Sequence, residues 1–408
     1  MKTLSDTLLI TQTTDSMTLS LPKKAFLMAG FTGGHADELH IHPLSEEKTS
    51  LVGNIYVGKV RKIQKNIDAA FIEIEGHQQC YFSIPDNPAP IYTKKGNSPR
   101  MVEGDELLVQ VKRDGLKTKL PAVSGNLEFP GHFLILTVGD TRVGLSSKLS
   151  SDARKRLREW MEPLCTEQFG YIVRTNAENA SKEDIETEAA ALRSEYEKLI
   201  KIAPYRTCFS MLKGPVSPWI ELVRDTYTSG LEKIITDIPE VYDSIREFLG
   251  QYHPEMLEKI ELYRDHMLPL AKLYSLEKEI SEALKERVWL KSGGYLVIQP
   301  TEALTVIDVN TGKYSEKKAR RETLKKINRE AAKEAARQIR LRNLSGIILI
   351  DFINMDKKED QDELLEYMEH LLRRDPVKTS LIDMTKLELV EITRRKLRKT
   401  LREQVAEL

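Results

Sequence analysis

Apolar and polar positions change period several times along the chain, and each change predicts an element or a boundary. Residues 1 to about 47 carry short apolar runs, "TLLITQ", "SMTLSL" and "AFLMAGF", separated by turn formers; these predict strands too few to close a core alone. From Leu51 apolar and polar residues alternate through "LVGNIYVGKVRKIQKNIDAAFIEIEGHQQCYFSIPDN", with Gly53, Gly58 and Gly76 at intervals. Short strands bent at glycines predict a small barrel of OB type, to which "DELLVQVKRD" (105–114) adds a later strand. The Pro-, Gly- and Lys-rich "NPAPIYTKKGNSP" between them reads as a loop. Strands "FLILTV" and "YIVRT" follow. Then "SKEDIETEAAALRSEYEKLIKIA" predicts a helix, with Ser181 as N-cap and Asp184 at the capping-box position. "LKGPVSPW" (212–219) predicts a junction, and 219–290 alternates helices with one short strand, "LEKIITD". From about residue 291 the order is strand, strand, long helix, strand, helix, strand, helix, which predicts an α/β architecture.

Composition adds limits. The 408 residues, 40% apolar and 30% charged, fit a globular protein of about two to four domains. No apolar run approaches the ~20 residues that cross a bilayer. "MKTLSDTLLITQTTDS" has no hydrophobic signal core, so the cytoplasm is the expected compartment. Cys80, Cys165 and Cys208 lie far apart without a CxxC pair, which argues against a disulfide framework and a cysteine zinc site.

The formal net charge of zero hides an asymmetry: Thr311 to Ile350 holds 12 Lys/Arg against 4 Asp/Glu, and Lys386 to Gln404 holds 7 against 3. Local basic surface matters more than the total for binding a polyanion. The long helix, expected over roughly Ser315 to Leu341, places Leu324, Ile327, Ala331, Ala335 and Ile339 on one face. Arg321, Lys325, Arg329, Lys333 and Arg337 recur every fourth residue on another. That row is either a solvated face neutralised by acids such as Glu322, or a track for a phosphate backbone.

Candidate chemistry lies at the mouths of two strands. "LTVIDVNTGKY" (304–314) runs as an apolar strand into Asp308, and Asn310 follows on the same side. The pair could hold a metal and a phosphate, or could simply form a turn. "GIILIDFINM" (346–355) repeats the pattern: four aliphatics, Ile347 to Ile350, run into Asp351, as in a strand buried on both faces. A right-handed crossover through the long helix would make the strands neighbours and bring Asp308 beside Asp351. Two close carboxylates repel unless a proton or a cation lies between them, and oxygen-only ligands favour Mg²⁺ or Mn²⁺ over Zn²⁺. The competing reading makes both aspartates caps of the loops that follow.

The order of these motifs resembles a known family. "SGGYLVIQPTEALTVIDVNTGKY" and "RLRNLSGIILIDFINM", with "LVRDTYTSGLEKIITD" and "KIELYRDHMLPLAKLYSLEKEISEAL", are similar to segments of the ribonuclease E/G endoribonucleases, from about residue 50 onward. The resemblance implies a mixed α/β multidomain fold. An RNase H-like portion (1–47 and 218–283) would be split around an S1-type OB domain (48–118) and a 5′-sensor region (119–217), before a DNase I-like catalytic subdomain (284–408). It further implies Mg²⁺-dependent hydrolysis of single-stranded RNA, such as rRNA precursors and mRNA, leaving 5′-phosphate products. Asp308 and Asp351 would be metal ligands and Asn310 the contact to the scissile phosphate. Arg174 and Thr175 would grip a 5′-monophosphate, with Gly131 and Ile135 in the sensor wall. Phe71 and Phe82 would stack on RNA, and Lys119, Arg321, Lys325 and Arg329 would contact it.

There are departures. Asn354 stands where the family pattern has a second aspartate, and "KTKLPAVS" (117–124) is a diverged form of a basic loop. The family's zinc-binding CPxC segment would begin about where this chain stops, so a homo-oligomer, if formed, is expected without a zinc link. The alternative is an RNA-binding protein of the same fold with weak or lost cleavage.

Overall fold

The computed structural model describes residues 6–13, 24–44, 50–115, 119–226, 230–265, 267–312 and 320–408. The run "SMTLSL", Lys117 and the expected helix start at 315–319 lie outside the described residues. The chain divides into two compact units, one of 1–45, 225–246 and 258–408, the other of 46–224 and 247–257.

In the second unit, strands Ile55–Gln64, Ala69–Glu73, Gln79–Ser83, Ala122–Ser124 and Glu106–Arg113 hydrogen-bond in that order, and the last pairs back onto the first. This closed five-stranded barrel is the OB-like body that the alternating pattern predicts. Val60, Ile72, Cys80, Phe82, Val109 and Val111 fill it. A four-stranded sheet orders Glu128–Pro130, Leu134–Val138, Phe169–Val173 and Val143–Leu145. Helix Lys182–Ile202 shares a core with that sheet through Ile185, Leu192 and Leu199. Its start carries the expected reciprocal cap: Ser181 Oγ accepts from the Asp184 amide, and the Asp184 carboxylate accepts from the Ser181 amide, each at 3.1 Å.

In the first unit, strand Thr7–Gln12 lies parallel to Lys233–Thr236 and antiparallel to Ala25–Thr32 within a five-stranded sheet. A six-stranded sheet follows in the order Arg287–Trp289, Tyr295–Pro300, Leu304–Asn310, Gly346–Asp351, Leu389–Arg394 and Thr379–Met384. Helices Arg320–Leu341 and Lys358–Leu372 cover one face, where Ile298, Ile307, Val309, Ile348, Ile350 and Ile392 are buried. The sequence pattern predicts one strand between the last two helices, whereas the chain forms a hairpin of two. A tight turn at Thr385–Glu388 divides the apolar stretch.

The Gly346–Asp351 strand also departs from its expected burial. Ile348 and Ile350 are buried, but Ile347 is 50% exposed. The helices cover one face of this strand, so the aliphatic run does not mean two buried faces.

Candidate active site

Strands Leu304–Asn310 and Gly346–Asp351 are parallel neighbours, and Asp308 is the register partner of Asp351. The 304–310 strand does not stop at Asp308. It runs on to Asn310 because Val309 is buried among the helices and pairs with Leu296. Gly312 then turns the chain at φ +64°, and a Cβ there would run into the Gly293 carbonyl, so the turn requires glycine.

Strand alternation settles the orientation. Thr305, Ile307 and Val309 are buried, so Asp308 and Asn310 project from the opposite, open face, as the exposed Asp351 does. Asn310 Nδ2 donates to Asp308 Oδ2 at 2.7 Å. Partial burial, and then the negative charge of Asp308, push the Asp351 carboxyl above the usual carboxylate range.

A divalent cation fits this arrangement. Mg²⁺ characteristically takes one or two carboxylates and completes its shell with water and substrate phosphate. Among the described residues there is no cluster of three or more His, Cys, Asp or Glu side chains that could hold a metal.

Behind the site, the loop after Asp351 is held by a residue that the sequence does not single out. Asn328, buried in the long helix, donates to the Ile353 carbonyl at 2.7 Å and accepts from the Ile353 amide at 3.1 Å. Asn354, one position on, is exposed.

In the basic row, Arg321, Lys325 and Arg329 have acidic partners on the neighbouring helix. Arg321 makes a two-bond pair with Asp360 at 2.7 and 2.9 Å, and Lys325 reaches Asp360 and Glu363. Arg329 lies 3.6 Å from Glu363 and over the Tyr367 ring. Hydrogen bonds from Arg321, opposed by burial and aided by Lys325, hold the Asp360 carboxyl well below its usual range. These three cations sit on the helix-covered side of the sheet, facing the acidic helix 358–372, and not on the face of Asp308.

In the barrel, Phe71 is half-buried and Lys119 exposed, but Phe82 is 0% exposed inside the core. Phe82 therefore presents no ring face to RNA, which corrects its expected stacking role. Strand register puts Tyr81 directly across from Phe71 on the outer surface. Tyr81 is partly exposed there.

Two of the four expected sensor residues meet, and the other two have partners outside the set. Arg174 donates to the Gly131 carbonyl at 2.6 Å, bringing those two together. Thr175 Oγ1 lies 2.9 Å from Ser146 Oγ, whose carbonyl also accepts from Arg154. Ile135 is the cross-strand partner of the exposed Ile172.

Beneath the Gly131 loop, the buried Glu188 carboxylate accepts from the amides of His132, Phe133 and Leu134 at 2.5, 2.8 and 2.8 Å. A Cβ on Gly131 would come within 2.6 Å of that carboxylate, so only glycine lets the loop close over it. His253 Nε2 pairs with Glu188 at 3.3 Å. Burial alone would lower the imidazole pKa, but Glu188 and Glu255 overturn that and raise it to about 9.

A raised histidine pKa gives stability that is complete below the unfolded value near 6.5 and lost as pH rises through about 9. The unfolding free energy is therefore expected to fall by up to roughly 3 kcal/mol across that window. Urea titrations at several pH values check this, and His253→Gln should flatten the fall.

In fold and site, the chain combines an OB-like barrel with an α/β sheet that carries paired aspartates at adjacent strand ends. Comparison with known proteins supplies the family. The model of the Ribonuclease E/G family matches residues 128–397. Ribonuclease G of Salmonella typhimurium is 35% identical over 384 residues, covering 91% of this chain and 78% of that protein. Ribonuclease G of Escherichia coli K12 is 34% identical over 385 residues, covering 92% and 78%. Ribonuclease E of Nostoc is 34% identical over 353 residues, covering 85% of this chain and 51% of that longer protein. The chain belongs to the ribonuclease E/G family.

Proposed function

We propose that this endoribonuclease hydrolyses internal phosphodiesters of single-stranded RNA at the Asp308–Asp351 edge with Mg²⁺, in RNA processing and decay, and favours substrates with a 5′-monophosphate. The observation that carries the reading is the register pairing of Asp308 with Asp351 on the open sheet face. Asp308 and Asp351 would hold Mg²⁺, and Mn²⁺ would fit the same oxygen donors. When bound, the ion supplies an activated water and neutralises charge on the phosphate. Asp351 and Asp308 fix that charge at one point of the sheet edge. The Asn310 amide, already oriented by its bond to Asp308, can donate to a phosphate oxygen. Val309 and Ile350, buried behind the site, keep the two strand ends in register.

The 5′-end preference rests on Arg174, a guanidinium beside the Gly131 carbonyl, and on the neighbouring Thr175 hydroxyl. A charged donor with a hydroxyl suits a terminal phosphate. A cytoplasmic site of action accords with three free cysteines.

The test is cleavage of one short, A/U-rich RNA carrying either a 5′-monophosphate or a 5′-hydroxyl. Wild type should cut the monophosphate form faster. Arg174→Ala should collapse that ratio towards one, a loss of roughly tenfold or more for a charge-assisted contact. An unchanged ratio in the variant would remove Arg174 from the sensor.

A further inference from the structure

We infer that Trp289, with Tyr295 and Arg287, forms a platform on which one nucleobase beside the scissile phosphate stacks. This rests on the nuclease reading of the Asp308–Asp351 edge.

Register places the group. Trp289 pairs with Tyr295, and Tyr295 pairs with Asn310; Arg287 pairs with Val297, and Val297 with Asp308. Directly paired residues project from the same face of a sheet. The three side chains therefore share the open face with Asp308, Asn310 and Asp351. The intervening residues agree, since Leu296 and Val309 are buried on the helix side. Strands lie ~4.8 Å apart, so Tyr295 stands roughly 5 Å and Trp289 roughly 10 Å across the sheet from Asn310. These are distances that the nucleotide at the cleaved bond, or its neighbour, can span.

The chemistry is that of a stacking surface. Trp289 is 64% exposed on an edge strand, where the core does not require it because Val288 and Leu290 supply the buried contacts. The Trp289 and Tyr295 rings are 5.2 Å apart and tilted by 59°, so Tyr295 does not cover the indole face. The Arg287 guanidinium lies 5.7 Å from the Trp289 ring and 4.5 Å from the Tyr295 ring. A flat indole offers every base a π-face, and the adjoining cation meets the phosphate next to it. On this face the cation stands two strands from Asp308 and three from Asp351, so RNA entering from that edge would meet Arg287 before the acidic pair.

The experiment uses the full chain and a short, unstructured RNA. In EDTA, tryptophan fluorescence is followed as RNA is added; the chain has 3 tryptophans, Trp160, Trp219 and Trp289. Wild type is expected to be quenched. Trp289→Phe should lose most of the quench while still binding, and Trp289→Ala should bind roughly tenfold more weakly. With Mg²⁺, RNAs lacking one base in turn on either side of the cleaved bond should reveal one position where base removal raises KM about tenfold in wild type. That penalty should vanish in Trp289→Ala, with kcat little changed.

A quench that survives Trp289→Phe overturns the proposal. So does a base-removal penalty that is the same in Trp289→Ala, or a change of oligomeric state without a change in RNA affinity, which would make the patch a protein contact. If wild type bound with a Trp289 quench yet never cut RNA, the nuclease reading would fall while base contact at Trp289 stood.

Discussion

Asp308→Asn and Asp351→Asn are each expected to lower Mg²⁺-dependent RNA cleavage by roughly a hundred- to a thousandfold, the range for removing one electrostatic stabiliser of a transition state. The cause is local. Asp308 and Asp351 stand in register on neighbouring strands, and on the proposed reading each would help to balance a divalent charge at that edge. Neither substitution touches the core, because both side chains project from the open face, so the fold and RNA affinity should be retained. Asp308→Asn should also relieve the repulsion that raises the Asp351 carboxyl. Its pKa, followed by carbon NMR in the metal-free protein, is expected to move down. Rates that stay within a few-fold of wild type in both variants would place the chemistry elsewhere.

The largest stability effect is expected from Arg394, on a strand of the same sheet but inside the protein. Its guanidinium, with the side chain 4% exposed, donates to Asp375 at 2.7 and 3.3 Å, to Asn343 at 2.6 Å and to the Leu344 carbonyl at 3.0 Å. Asp375, 1% exposed, also accepts from the Thr379 hydroxyl and the Val377 amide. This network ties the end of the long helix to the hairpin that borders the Asp351 strand. Arg394→Met leaves a buried carboxylate without its cation, which typically costs about 3–5 kcal/mol. Urea unfolding should show a lowered midpoint with an unchanged slope, and adding Asp375→Asn should recover part of the loss. Recovery is the discriminating result: a loss due to packing alone would not respond to Asp375.

Some of this site was legible in the sequence because it depends on short-range periodicity. Aliphatic runs that end on Asp308 and Asp351, separated by one long helix, are enough to predict parallel strands with adjacent ends. The Ser181–Asp184 cap is likewise local, three residues apart. What was not legible depends on partners far along the chain or on the parity of a strand. Tyr81 and Phe82 are consecutive aromatics in a barrel strand, so one must face inward, and sequence alone does not say which. The row Arg321, Lys325 and Arg329 looks like unmatched charge until helix 358–372, with six acids, packs against it. Glu188 sits in an otherwise ordinary amphipathic helix, and only the tertiary fold reveals the three amides that it holds. Trp289 belongs to a three-residue edge strand, too short for a period to declare itself.

If the aspartate pair uses a divalent cation to direct water at phosphorus, the ends left on the RNA record it. The most direct test is the chemistry of the ends produced when one single-stranded RNA is cut by wild type with Mg²⁺, with EDTA, and by Asp308→Asn. Wild type with Mg²⁺ is expected to make internal cuts that leave a 5′-phosphate on the downstream fragment, with no cuts in EDTA and few by the variant. Cuts that persist in EDTA and leave a 5′-hydroxyl with a 2′,3′-cyclic phosphate would mean attack by the RNA's own 2′-hydroxyl, and would contradict attack by water.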